Sequence, residues 1–406
     1  MLRRELGLGG AVGVGLGAII GAGIFVVIGV AAGIAGPALI AGLAVAAGVA
    51  ICNALSSAEL AARYPTSGGT YEYGYELVHP LAGFSAGWMF LTSKLAAGGT
   101  VGLGFGFYLS RFFPSLDPRV AGIAAVVLLT GANLLGIRKA GRLNLAIVAV
   151  TVSTLVVFVA MGLPHIDVAN LAPIDPGAVL PAAALLFFSY TGYARLATLA
   201  EEVHEPKVTI PRAIIISLGI AVALYGFVAV VALGTLGAAR MGRSDAPLEA
   251  AARLFGGTGL AQLIVVGATT AMLGVLLSQI LGISRMMLAM SRRGDLPKLL
   301  GHIAERNQIP STAIILTGAI IGLLVAVGTL KLAASAASFT ILLYYSITNI
   351  AALRMAPEDK RFSPWIARAG LASCLVLALS LDVQTFAIGL GVLAVGVLGR
   401  FWLRRK

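Results

Sequence analysis

A chain of 406 residues that is 59% hydrophobic and only 11% charged, with a mean hydropathy of +0.96, cannot clothe itself as a soluble globule, whose composition is about a quarter charged. The apolar runs are long and lack a short alternating period, so the chain reads as an all-α polytopic membrane protein rather than a barrel. The net charge of +12 is a matter of topology rather than of nucleic-acid binding, as the distribution of cations along the chain makes plain.

Apolar runs separated by polar breaks predict twelve membrane helices, near 11–35, 37–61, 81–111, 120–136, 143–163, 179–200, 211–238, 258–290, 311–330, 332–354, 365–381 and 384–402. The first, AVGVGLGAIIGAGIFVVIGVAAGIAGP at residues 11–37, carries seven glycines by Gly33, although each interior glycine costs a helix about 1 kcal/mol relative to alanine. Two explanations stand: close packing against a neighbouring helix, or an opening at Gly17, Gly21 and Gly23 that frees backbone groups to hold a solute. The turn at Gly36-Pro37 returns the chain as helix two, and the following SSAELAARYPTSGGTYEYGYELVHP is expected to be an inner interfacial loop. Helix three holds Lys94 near its centre, about 21 Å along a helix from Pro80. Helix six has Ser189, Tyr190, Thr191 and Gly192 at its middle, a second interruption.

Helices 1–5 and 6–10 each begin with an interrupted span, and odd-numbered groups insert in opposite senses. The expected organisation is therefore a 5+5 inverted repeat, residues 1–163 and 179–354, with discontinuous helices 1 and 6 meeting at the midplane. Residues 365–406 would hold helices 11 and 12, an appendage for oligomer contact, and a basic tail. With both termini cytoplasmic, the inner loops carry 20 of 29 Lys and Arg, and the outer loops only Arg111, Arg119, Arg240, Arg243, Arg253 and Lys331, which fits the positive-inside rule. The first apolar run is full length, so no cleavable signal is expected. Cys52 and Cys374 lie in apolar runs and are expected to pack rather than pair.

GAIIGAGIF at 17–25 and FFSYTGYARLATLAEEVHEPKVTIPRAI at 187–214, supported in order by AEL at 58–60, SGGTYEY at 67–73, GW at 87–88 and GDLP at 294–297, resemble the amino acid-polyamine-organocation superfamily of amino acid permeases. The resemblance implies a leucine-transporter-type fold with a zwitterion between helices one and six. Carried onto this sequence, the amides of Gly21, Ala22 and Gly23 would take the substrate carboxylate, and carbonyls near Ile19, Ile20, Phe188, Ser189 and Thr191 the ammonium, with Phe188 as an aromatic gate. The sequence departs from the family at both coupling sites: Thr151 falls where proton-coupled relatives have a lysine, and Leu273 and Gly274 fall near the sodium-binding hydroxyls, with Thr269 and Thr270 close by.

All 17 acidic residues lie at span ends or in loops. Lys94 is therefore the candidate coupling group, against a structural reading in which it is paired with carbonyls. Arg195 is expected to pair with Glu201 and Glu202, and Arg285 to anchor the inner end of helix eight. The function expected is secondary transport of a small neutral or apolar amino acid by alternating access, coupled to protons, with an uncoupled exchanger or facilitator as the alternative. A channel and a membrane-embedded enzyme are weaker readings, since His79, His165, His204 and His302 all fall in loops or at span ends. No phosphate-binding loop is present. The expected partners are an amino acid, protons and the bilayer, with no nucleic acid, cofactor or metal.

Overall fold

The computed structural model describes residues 6–64, 68–135, 140–197, 203–304 and 309–404. Its helices are α1 (Leu8–Ile19), α2 (Ile28–Ala35), α3 (Leu39–Arg63), α4 (Thr70–Leu77), α5 (Pro80–Leu109), α6 (Pro118–Leu134), α7 (Ala140–Gly162), α8 (Val179–Leu186), α9 (Ala194–Ala197), α10 (Pro206–Leu236), α11 (Ala238–Arg243), α12 (Pro247–Arg292), α13 (Ser311–Val327), α14 (Leu330–Arg354), α15 (Pro364–Leu379) and α16 (Val383–Arg404). Each of the twelve runs expected from the sequence coincides with one of these helices or a broken pair of them. Among the described residues, seven stretches are long and apolar enough to cross a membrane, and Pro118–Leu134, Ser311–Val327 and Pro364–Leu379 are shorter apolar helices. Large apolar side chains such as Leu128, Leu135 and Val383 stand more than two-thirds exposed, the surface of a protein solvated by hydrocarbon rather than water.

Local sequence sets the boundaries. Gly36, at φ +55°, and Pro37 turn the chain between α2 and α3, a conformation that a side chain would strain. Asp117 caps α6 by accepting from the Arg119 and Val120 amides at 2.7 and 3.2 Å, ahead of Pro118 at the first helical position. α5 is the central element, flanked by α14, α12, α4, α6 and α13. Its glycines make that crowding possible: a Cβ at Gly106 would lie 1.8 Å from the Pro118 carbonyl oxygen, which is how small residues bring membrane helices together without a hydrophobic driving force.

Two expectations are corrected. The segment after helix two is not an interfacial loop: α3 runs on through Arg63, and α4 buries Tyr71 and Tyr73 beneath α5 and α14. An aromatic-rich stretch of modest hydropathy is driven inward here by its phenol rings. Helix eight begins after a kink at Gly257, φ +64°, close to the expected start at residue 258, and a separate helical segment from Pro247 precedes the kink within α12. Finally, α15 and α16 are no appendage. Polar bonds tie them in: Asn53 Nδ2 of α3 donates to Cys374 Sγ of α15 at 3.2 Å, and Trp88 Nε1 of α5 to the Val392 carbonyl of α16 at 2.8 Å. Both cysteines are free thiols.

The strongest tie is ionic. Arg400 Nε donates to Asp295 Oδ1 at 2.9 Å, with side chains 6% and 0% exposed. Tyr71 Oη donates to Asp295 Oδ2 at 2.9 Å, Tyr75 Oη donates to the same oxygen, and Arg400 Nη2 reaches Tyr75 Oη at 3.0 Å. Breaking such a buried pair from one side leaves an uncompensated charge, at a cost of about 3–5 kcal/mol. Arg400→Met should therefore lower the unfolding midpoint in detergent sharply, and the double variant Asp295→Asn/Arg400→Met should recover most of the loss. Equal destabilisation of the two variants would show that packing, not charge, holds α16.

Candidate functional site

α1 stops because Ile20 turns extended, at φ −80° and ψ 105°, its amide still donating to the Leu16 carbonyl at 2.8 Å. A π-helical turn, Gly23–Val27, then leads into α2. Residues 21–23 thus stand at the start of a new helical segment, where the first N–H groups lack intrahelical acceptors and the helix dipole is positive. In the second broken span, α8 gives way to a 3-10 segment, Phe187–Tyr193, before α9. A run of seven 3-10 residues is unusually long and marks a backbone held by tertiary contacts.

The two breaks face each other at van der Waals distance. A Cβ on Gly23 would fall 2.6 Å from Ser189 Cα, and one on Gly192 would fall 2.2 Å from the Ala18 carbonyl oxygen. Both close-packing and opening therefore operate at the same glycines. Between the breaks lies a cavity of ≈ 320 Å³ lined by Ile19, Gly21, Ala22, Gly23, Phe188, Ser189 and Thr191 from the broken spans, with Lys94, Ala97 and Val101 from α5 and Val275 and Gln279 from α12. Every expected binding residue except Ile20 lines it. Ile20 is not among the residues lining it; it is the residue at which the helix opens, at the end of α1. Sequence reading missed Ala97, Val101, Val275 and Gln279. Gln279 carried a signal, a polar amide inside the apolar run of helix eight, whereas the small apolar residues carried none.

Several backbone acceptors are already engaged. Tyr225 Oη donates to the Ile19 carbonyl at 2.9 Å, Thr191 Oγ1 to the Phe188 carbonyl at 3.0 Å, and Lys94 Nζ to the Thr191 carbonyl at 3.3 Å. Tyr108 Oη holds the Phe25 carbonyl at 2.6 Å. By contrast, the Ser189 hydroxyl and Gln279 Oε1 are buried without a hydrogen-bond partner among the described residues, and both belong to cavity-lining side chains. Such groups are costly to strand and are ready to receive a polar solute.

A second cavity, ≈ 430 Å³, shares Ala18, Lys94, Gly192, Val275 and Gln279 with the first and extends to Arg195, Ser278 and Gly282. Lys94, 9% exposed, lies on the boundary of the two, its ammonium 5.7 Å from the Phe90 ring centroid. Among the described residues neither cavity is lined by Asp, Glu or His. Arg195 donates to the Ser278 carbonyl; its expected partners Glu201 and Glu202 lie outside the described residues. The hydroxyls of Thr151 and Thr269 bond to carbonyls of their own helices, Ile147 and Val265, each at 2.8 Å, and neither residue lines the cavities.

A family profile described as amino acid permease matches residues 6–399. The chain belongs to the amino acid permease family. It is 45% identical to an uncharacterised transporter of Mycobacterium tuberculosis, over 98% of this chain and 90% of that protein. It is 30% identical to a branched-chain amino acid permease of Bacillus subtilis, over 100% of this chain and 94% of the relative. A methylthioribose transporter of the same species is 29% identical over 93% of this chain and 88% of the relative. These are transporters, and this permease is not an enzyme.

The contact between the breaks is testable through its glycines. Gly192→Ala must displace backbone, so it should destabilise the permease by about 1–3 kcal/mol. Gly219→Ala, where nothing lies within 4 Å of the added Cβ, should be neutral or mildly stabilising. Matching midpoints for the two variants in a detergent melt would refute the close approach.

Proposed function

We propose that this permease is a secondary transporter that carries a small neutral or apolar amino acid across the plasma membrane by alternating access, with both termini in the cytoplasm. One observation carries the reading: two interrupted spans meet around a cavity in which the Ser189 hydroxyl has no partner among the described residues. In this reading the N–H groups of Gly21, Ala22 and Gly23 receive the substrate carboxylate, as the positive end of a half-helix favours. Carbonyls of the 187–193 segment and the Ser189 hydroxyl receive the ammonium, and Phe188 closes over the solute. The apolar walls supplied by Ala97, Val101 and Val275 suit an aliphatic side chain, and the name of the branched-chain amino acid permease relative supports the same class. Inverted repeats over 1–163 and 179–354 account for the paired positions of the two breaks.

We assign proton coupling to Lys94. Among the described residues no carboxylate lines either cavity, and a lysine buried at membrane depth is a functional group by default. Its bond to the Thr191 carbonyl links its protonation directly to the broken backbone of helix six, so that a gained or lost proton changes the field at the substrate. The Thr151 and Thr269 hydroxyls donate to carbonyls of their own helices, and neither residue lines the cavities.

Two measurements test this. A ligand that binds only the folded state at a hundred times its dissociation constant adds about 2.7 kcal/mol of stability. Leucine, isoleucine, valine or alanine should thus raise the melting midpoint while an N-acetylated or decarboxylated analogue does not; no response to any amino acid would refute the substrate assignment. In proteoliposomes, Lys94→Met should abolish the dependence of uptake on a pH gradient while sparing exchange of labelled for unlabelled substrate. A folded Lys94→Met protein whose uptake still follows the gradient would refute the coupling role, and a wild-type protein indifferent to the gradient would mark an uncoupled exchanger.

A further inference from the structure

The face opposite the chain ends holds a charged cleft. α5 spans about 45 Å at 1.5 Å per residue. Arg400 lies by Phe84 near its start, the guanidinium carbon 5.2 Å from the ring centroid, whereas Arg111 follows its far end. Leu6 likewise accepts from the His204 amide at 2.9 Å just ahead of α10, while α11 follows the other end of α10. The cleft is open to solvent and is lined by Arg111, Arg240, Arg243, Ser244, Glu249 and Arg253. Four of the six cations that the charge pattern assigns to the outer loops therefore converge on one depression, on the face where cations are scarce.

The cleft is built rather than incidental. Glu249, its side chain 4% exposed, accepts from Arg253 Nε at 2.9 Å and stands 3.8 Å from Arg111 Nε. One buried carboxylate thus holds two guanidinium groups in place. Arg240 and Arg243 come from the other wall, three residues apart on α11 and therefore on one helical face. Asp245 also lies within electrostatic reach of Arg111. Two acids against four guanidiniums leave net positive charge on an open cleft, where a bound anion would relieve the mutual repulsion of the arginines. Guanidinium forks match tetrahedral oxyanions bidentately.

Position adds consequence. α11 lies on the second half of the first broken span: a Cβ on Gly33 would meet Gly242 Cα at 3.1 Å, and one on Gly29 would meet the Met241 carbonyl oxygen at 3.1 Å. α11 therefore covers α2, while Arg111 and Arg253 belong to the scaffold of α5 and α12. We propose that this cleft binds a phosphate-bearing anion, and that the anion ties α11 to the ends of α5 and α12. The chemistry is that of a phosphodiester headgroup or of free phosphate. Binding there holds the cover over α2 in place and so acts on the opening of that end of the transport path.

The test uses the full-length protein, purified and delipidated in detergent. Thermal midpoints are followed against inorganic phosphate, dioleoylphosphatidylglycerol, zwitterionic dioleoylphosphatidylcholine, and chloride at matched ionic strength. A rise with phosphatidylglycerol but not with phosphate identifies a lipid headgroup as the occupant, and a rise with phosphate identifies a soluble anion. In either case Arg240→Gln/Arg243→Gln should weaken apparent affinity by more than about tenfold, while Arg368→Gln, a change outside the cleft, leaves it unaltered. Hydrogen exchange should slow together in α11 and the first turns of α12. The proposal is overturned if neither phosphate nor phosphatidylglycerol exceeds the chloride response, or if the double variant responds as wild type does. Exchange in α11 that ignores a bound anion would overturn the tie.

Discussion

In hydrocarbon every backbone N–H and C=O must find a partner inside the protein, because an unpaired one costs several kcal/mol. That constraint governs this permease. Its first and sixth spans give up helical hydrogen bonds partway along apolar stretches, and the rest of the structure supplies substitutes. Tyr225 from α10 takes the Ile19 carbonyl and Tyr108 from α5 takes that of Phe25. Lys94 takes the Thr191 carbonyl, and Thr191 turns its own hydroxyl to Phe188. A phenol or an amine reaching from a neighbouring helix is a removable partner, unlike the helical bond it replaces, and removability is what a solute site requires.

The substitutes work only if the donating helices are fixed. α5 provides two of them, Lys94 and Tyr108, and is the most crowded element, gripped along its length by α14, α12, α6 and α13. α4 and the Asp295 cluster clamp its starting end, where Arg400 of the last helix and Phe84 of α5 meet. Residues far from the cavity thereby set the geometry of a site they never touch. Substitutions at the Asp295 cluster or among the α5 glycines belong in the same energetic account as those in the breaks.

Much of this was legible in the sequence because it is written in residue types with a single physical use. Twelve apolar runs gave twelve helical spans, and the Gly21/Gly23 and Ser189–Gly192 interruptions located both breaks. The lone deep lysine stood out for the same reason. What stayed hidden depends on long-range partnership. Tyr225 looks like any tyrosine in an apolar helix, yet it holds the end of α1. Gln279 carried a faint signal, and Val275 none, since a valine in a membrane span is expected everywhere. The α4 segment was misjudged because its tyrosines read as interfacial, while Tyr71 spends its hydroxyl on Asp295, 224 residues away. Ile20, one residue from the glycine that opens the helix, shows how finely a break must be resolved before a wall can be told from a hinge.

The central claim is that solute occupies the gap between the two breaks. The most direct measurement is the alkylation rate of Ser189→Cys in a Cys52→Ser background, reconstituted in liposomes and titrated with a transported amino acid. Ser189 is the gap residue whose hydroxyl has no partner among the described residues, so its replacement reports occupancy rather than a lost bond. The account predicts that saturating amino acid slows labelling by roughly tenfold or more, with a half-maximal concentration matching that of transport. Transport that saturates while labelling proceeds at an unchanged rate would contradict it.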